Sequence, residues 1–227
     1  MIDIGNNVQA VRDRIAAAAA RVGRSAEEVS LLAVSKTITP ERIDAALAAG
    51  ISLVGENRVR EAADKMPLVK GSAEWHFIGP LQSNKARMAA ALFRAIHSLD
   101  RPSLVKRLAA CADPRRAPLE IYVQVKLRSP ESGGTQLQAV RDLCRAVDGT
   151  GRLRLKGLMT MAPFDPDPEA ARPTFQKLRE LRDRIQKGDA CLSPLGLSMG
   201  MSGDFEVAIE EGATIVRVGT AIFGRRH

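Results

Sequence analysis

Hydrophobic and polar positions follow two different periods along this chain. Residues 6–22 place Val8, Val11, Ile15 and a run of alanines on one face, then meet Gly23; the spacing predicts an amphipathic helix with a glycine stop. Ser30-Leu31-Leu32-Ala33-Val34-Ser35 is a short apolar run and predicts a buried strand. Thr39-Pro40-Glu41 then opens a helix, with an N-cap candidate followed by proline at the first helical position, and the helix runs to Gly50. The rhythm repeats. Strand-like segments lie at 51–54, 74–78, 95–98, 119–127, 153–159, 195–198 and 214–218. Helical patterns lie between them at 57–66, 83–93, 101–111, 136–147, 168–186 and 203–211. The segment 119–127 is the clearest strand, with Ile121, Val123 and Val125 alternating.

Strands that alternate with helices predict a parallel sheet with crossover helices. Eight units after one extra helix point to an α/β fold, a single (β/α)8 TIM barrel with an extra N-terminal helix; an open doubly wound sheet is the alternative. No linker or shift of composition divides the chain, so residues 1–227 read as one domain.

Composition narrows the function. The net charge of +8 is spread over short basic spots (Arg115-Arg116, Arg152-Leu153-Arg154, Arg225-Arg226) interleaved with acids, which reads as a solvated, slightly basic surface. At 4% aromatic residues, stacking platforms for nucleic acid are not expected. Three distant cysteines (Cys111, Cys144, Cys191) without a C-x-x-C pair suggest reduced thiols in a cytoplasmic protein, with neither a disulfide framework nor a zinc site. The N-terminus lacks the charge and apolar stretch of a signal peptide, and no run is long enough for a membrane span.

In a barrel, function sits where strands end and helices begin. The strand ends carry Ser35-Lys36-Thr37, Gly55-Glu56-Asn57-Arg58, the block from Trp75 to Lys85, Gly157-Leu158-Met159-Thr160-Met161, Ser198 to Asp204, and Arg217-Val218-Gly219-Thr220-Ala221. The loops after strands 7 and 8 are common phosphate sites in barrels, and here Ser202-Gly203-Asp204 and Gly219-Thr220 offer hydroxyl and N–H donors with small side chains. Read separately, they are a plain N-cap and a plain turn. Together, they favour a phosphorylated ligand. Strand 1 adjoins strand 8 in a closed barrel, so Lys36 shares their pocket. A lysine near a phosphate cradle suggests an aldehyde-bearing phosphate: pyridoxal phosphate (PLP) or a phosphosugar. The bland reading of Lys36 is a solvated loop lysine. Arg217 either meets a cofactor's pyridine nitrogen or forms a barrel-end salt bridge. His76 reads as a hydrogen-bonded core histidine rather than a base. Glu56-Asn57 is a helix cap or a polar wall, and Met159 and Met161 are packing residues, with Met159 a candidate neighbour of a ring.

At these residues the chain resembles the YggS/PROSC family of PLP homeostasis proteins over nearly its whole length. The resemblance rests on Leu32-Ala33-Val34-Ser35-Lys36-Thr37, Gly55-Glu56-Asn57-Arg58, the block from Trp75 to Lys85, Gly157-Leu158-Met159-Thr160, the stretch 198–204 and the stretch 216–224. It implies a barrel like the N-terminal domain of alanine racemase, with PLP as a Schiff base on Lys36. It further implies phosphate held by Ser202, Gly203, Gly219 and Thr220, Arg217 facing the pyridine nitrogen, and Asn57 and Met159 in pocket-lining motifs. Family members are associated with balancing the PLP pool and amino-acid metabolism, without a clear catalytic activity. One departure stands out. Many members follow the fifth strand with Asn and a Glu-x-x-Lys-x-Gly segment, whereas here Lys126 follows Gln124-Val125 and Ser129 to Thr135 contain no lysine.

Three functions are weighed: a non-catalytic PLP carrier, a PLP enzyme of racemase type, and a Schiff-base aldolase without PLP. A two-base racemase needs a second acid–base group opposite the lysine. The single tyrosine, Tyr122, lies within the strand-5 pattern, well before that strand's end, and no second domain follows the barrel pattern. The carrier is therefore ranked first, acting as a monomer, with apo PLP-dependent enzymes as the expected recipients.

Overall fold

The computed structural model describes residues 2–127, 133–189, 192 and 194–224. Cys191, Arg225-Arg226, His227 and most of the segment that departs from the family pattern lie outside them. Eight strands form a closed barrel in chain order: β1 (Ser30–Val34), β2 (Leu53–Glu56), β3 (Glu74–Phe77), β4 (Ala95–Leu99), β5 (Leu119–Gln124), β6 (Leu153–Met159), β7 (Gly196–Ser198) and β8 (Ile215–Val218). All pairs are parallel, and β8 closes onto β1 with Leu32 opposite Arg217 and Ala33 opposite Val218. Around it run α1 (Ile4–Arg21), α2 (Pro40–Ala48), α3 (Val59–Lys65), α4 (Ala86–Leu92), α5 (Pro102–Cys111), α6 (Val140–Asp148), α7 (Arg172–Gly188), α8 (Phe205–Glu210) and α9 (Thr220–Phe223).

Side-chain alternation along each strand divides the apolar residues into two layers. Ala33, Val54, Phe77, Ile96, Ile121, Val123, Leu158, Leu197 and Val216 belong to the large core shared with the helices. Leu32, Tyr122, Met159 and Ile215 form a separate small cluster, with Val34, Leu53 and Ile78 packed against it inside the barrel. The extra helix α1 starts when Asp3 accepts the Asn6 N–H at 3.0 Å, and it buries Val8, Val11 and Ile15. Arg14 and Arg21 then pair with Glu206 and Glu210 of α8.

Several boundaries differ from the sequence pattern for local reasons. The helices expected from 83, 136 and 168 enter through 3₁₀ turns at Ser83–Lys85, Leu137–Ala139 and Pro168–Ala171, where i→i+3 bonds tighten the first turn. The pattern predicts a strand to residue 127, but strand 5 ends at Gln124; Val125 still donates to the Met159 carbonyl but forms an isolated bridge with Thr135, and the Lys126 N–H donates to the Thr135 carbonyl. The helix expected from 203 starts at Phe205, because Asp204 turns back to accept the Met201 N–H at 2.6 Å. Among the described residues, no helix is long and apolar enough to cross a membrane.

Candidate functional site

The carboxyl ends of the strands surround a cavity of about 290 Å³. Lys36, Asn57, Ser202, Gly203, Arg217, Gly219 and Thr220 all line it. Met159 does not. It is buried inside the barrel with Leu32, Tyr122 and Ile215, so its expected place in the cavity lining is corrected. Met161, two residues on and outside the strand, lines the cavity instead.

The loops after β7 and β8 are joined by one hydroxyl. Ser202 Oγ accepts N–H groups from Gly219 at 3.2 Å and Ala221 at 3.4 Å, where α9 begins. Two backbone donors thus converge at the cavity wall, on a hydroxyl an anionic oxygen can share or displace. A Cβ at Gly219 would lie 3.3 Å from the Val34 carbonyl and Cβ, so glycine lets β8 stay close to β1 here. Gly203 has open space around its missing side chain. Asp204, held by Met201, has its carboxyl raised by burial, an effect countered by that N–H and by the charge of Arg217.

Arg217 is 3% exposed and bridges strands rather than forming a salt bridge. Its Nη1 donates to Ser198 Oγ at 2.8 Å and its Nη2 to the Thr160 carbonyl at 2.9 Å. Burial pulls it down to about 10, against the attraction of Asp204, so it is still a cation at neutral pH. From Ser198 a row of contacts crosses the barrel interior: His97 Nδ1 at 2.8 Å, His97 Nε2 to His76 Nδ1 at 2.9 Å, and His76 Nε2 to Glu74 Oε1 at 2.9 Å. Arg217 can only donate, which assigns a consistent direction: Ser198 O–H to His97, His97 Nε2–H to His76, His76 Nε2–H to the Glu74 carboxylate. His76 is indeed a hydrogen-bonded core residue, as its sequence context suggests; its partnership with His97 was not legible there.

His97 is fully buried and lies well below the ordinary histidine value of 6.5, through burial first and then the neighbouring His76 and Arg217. The folded protein keeps it neutral where the unfolded chain takes up a proton. Stability is therefore expected to fall as pH drops below about 6.5, with a slope from this site of up to about 1.4 kcal/mol per pH unit, until the depressed value is reached. Urea unfolding of wild type and His97→Gln between about pH 5 and 7 checks this. The variant should lose that part of the slope, whatever its absolute stability.

Lys36 sits between two constrained neighbours. Ser35 is buried, and Thr37 has φ 64, the only positive φ at a non-glycine among the described residues. For a β-branched residue this conformation costs roughly 1–3 kcal/mol. Glu56 proves to be neither cap nor pocket wall: it is completely buried and ion-paired with Lys65 at 2.8 Å. Asn57, the next residue, lines the cavity, and its Oδ1 is buried without a hydrogen-bond partner. The apolar walls were not singled out in the sequence: Val34, Ile38, Ile78, Met201 and Phe223 line the cavity, with Phe164 at 93% exposure also contributing. Val34 follows from the inward face of β1 and Ile78 from its place just past the end of β3, but loop residues such as Phe164 carry no periodic signal.

A model for the alanine racemase N-terminal domain matches residues 7–227. The pyridoxal phosphate homeostasis protein of Escherichia coli K12 is 42% identical over 235 aligned positions, spanning 100% of this chain and 98% of its own. The chain belongs to this family. The Aquifex aeolicus pyridoxal phosphate homeostasis protein is also 42% identical, over 218 residues and 95% of each chain. Among solved structures, the family member PipY of Synechococcus elongatus, determined with PLP bound, is 34% identical with a TM-score of 0.86, covering 97% of this chain and 100% of PipY. Family membership accords with the closed parallel barrel and the expected alanine racemase-like architecture.

Proposed function

We propose that this protein binds PLP as a Schiff base on Lys36 and carries or buffers it, contributing to intracellular PLP and amino-acid homeostasis. One observation carries the reading: Lys36, the buried cation of Arg217 and the convergent donors around Ser202 share a single cavity. The donor set fits the group. Ser202, Gly203, Gly219 and Thr220 would hold the phosphate, and the partnerless Asn57 Oδ1 is an acceptor for a ligand donor. Val34, Ile78 and Met201 supply apolar wall. The curated relatives' name and the PLP-bound PipY structure support the same assignment.

When bound, PLP supplies an electrophilic aldehyde and an electron-withdrawing ring. Lys36 would hold the group through its amine, and the aldehyde would supply a bond to that amine that water can reverse. Arg217 would face the ring nitrogen. Its guanidinium has only donors and is braced by Ser198 and Thr160, so it would leave a facing nitrogen unprotonated and weaken the ring as an electron sink, which would favour holding over turnover. A second base opposite Lys36 finds no support in Tyr122. That tyrosine is 4% exposed, stacked on His97 with ring centroids 4.3 Å apart, and burial raises its phenol far above the ordinary range. The carrier reading takes residues 1–227 as one monomeric unit in the cytoplasm that hands PLP to apo-enzymes.

The test is the visible spectrum of the purified protein with PLP, followed by borohydride reduction, peptide mapping and an amino-acid turnover screen. A visible band with the label on Lys36 and no stereospecific turnover is the expected result. Label scattered over surface lysines would remove the reading and favour a phosphosugar aldolase. Robust racemisation would make the protein an enzyme.

A further inference from the structure

The segment that presents Lys36 is tied down by a group of buried ions to which the PLP reading assigns no task. Glu56, at the end of β2, is wholly buried, and its Oε1 accepts the Ser35 hydroxyl at 2.6 Å and Lys65 Nζ at 2.8 Å. Lys65, in the last turn of α3, also donates to the Ser35 carbonyl at 2.8 Å and to Glu61 Oε1 at 2.9 Å. The same Glu61 oxygen accepts the Thr37 N–H at 2.6 Å. Both peptide neighbours of Lys36 are therefore fastened to one ammonium, Ser35 directly and through Glu56, Thr37 through Glu61.

A stability role alone explains this arrangement poorly. Buried ion pairs lose much of their attraction to desolvation, and here Glu56 Oε2 is left without a hydrogen-bond partner. Burial raises the Glu56 carboxyl despite Lys65 and Ser35, so the site opposes its own charge. For Glu61 burial also pushes upward, but the bonds from Lys65 and the Thr37 N–H outweigh it and lower the carboxyl. Thr37 meanwhile holds a backbone conformation that a β-branched residue leaves unless its surroundings impose it. Of the three ions, Glu61 bonds that strained residue directly, and Lys65 holds Glu61 in turn.

We infer that Glu56, Lys65 and Glu61 are positioning residues for Lys36, fixing the backbone on both sides of it so that its amine is delivered to the cavity in bonding register. The inference rests on the reading of Lys36 as the covalent anchor. It concerns residues outside the cavity lining, which act only through the Ser35-Lys36-Thr37 backbone.

The experiment compares two ligands: PLP and pyridoxine 5′-phosphate, which keeps the ring and phosphate but has an alcohol in place of the aldehyde. Glu61→Ala is the first variant, because its side chain is partly exposed and its loss leaves no buried charge of its own. Lys65→Met and Glu56→Gln follow. PLP affinity and the rate of borohydride-trapped label on Lys36 are expected to fall about tenfold or more in Glu61→Ala, as a displaced reacting group would give. Pyridoxine 5′-phosphate affinity should stay within about twofold of wild type. Glu61→Gln, which keeps an acceptor for the Thr37 N–H, should retain most of the PLP affinity. Equal losses for both ligands would reduce the cluster to a fold support and overturn the inference, as would no loss for either. Failure of the underlying reading looks different: wild type would bind both ligands alike or carry no label on Lys36.

Discussion

Lys36→Ala is expected to show no visible band with PLP and no borohydride-trapped label at its binding peptide, while its far-ultraviolet circular dichroism stays that of wild type. The side chain is half-buried at the cavity wall and belongs to neither apolar cluster, so truncation enlarges the cavity without hollowing the core. Among the described residues, Lys36 is the only lysine that lines the cavity. Lys65 is adjacent in space to Ser35, but its Nζ already donates to the Ser35 carbonyl, Glu56 and Glu61. On the carrier reading, what would remain for PLP is the non-covalent set around Ser202, Gly219 and Arg217. Affinity should fall by roughly 100-fold or more, about 2.7 kcal/mol. An undiminished band in the variant would place the anchor elsewhere.

Gly157→Ala should destabilise the fold by about 3 kcal/mol or more, lowering Tm by roughly 6–12 °C in thermal unfolding. Gly157 on β6 stands opposite Gly196 on β7. A Cβ there would lie 2.0 Å from the Gly196 carbonyl oxygen and 2.9 Å from its nitrogen, all backbone atoms that cannot rotate away. The barrel is closed, so widening the β6–β7 gap strains the whole ring of strands. The effect should reach the site, because Arg217 is braced by Thr160 just beyond β6 and by Ser198 of β7. Gly203→Ala is the matched control for stability: nothing lies within 4 Å of its added Cβ, and a change within about 0.5 kcal/mol keeps Tm within about 2 °C of wild type. An unchanged Tm for Gly157→Ala would show that the two strands can part without cost.

The large-scale architecture was legible because it depends on local regularities. Period-2 apolar runs ending in loops, alternating with period-3.6 helices, leave a parallel sheet as the natural solution, and eight units allow closure. The loop chemistry was legible for a related reason: Lys36, Asn57, Ser202, Gly203, Arg217, Gly219 and Thr220 all sit at strand ends, and strand ends share one face of a barrel. Met159 was misplaced because periodicity gives the face of a strand but not the depth along the barrel at which packing stops and the cavity begins.

What the amino-acid sequence determined by itself was thus the order of elements, the face each strand turns inward and the set of loops that meet at one end. The tertiary structure alone decided which distant polar residues pair. Glu74, His76, His97, Ser198 and Arg217 are spread over four strands, and Ser35, Glu56, Glu61 and Lys65 over two strand ends and a helix. A buried donor must find an acceptor, but sequence spacing does not say which one. That choice is made by strand register and helix docking, which bring partners from far along the chain within hydrogen-bonding distance.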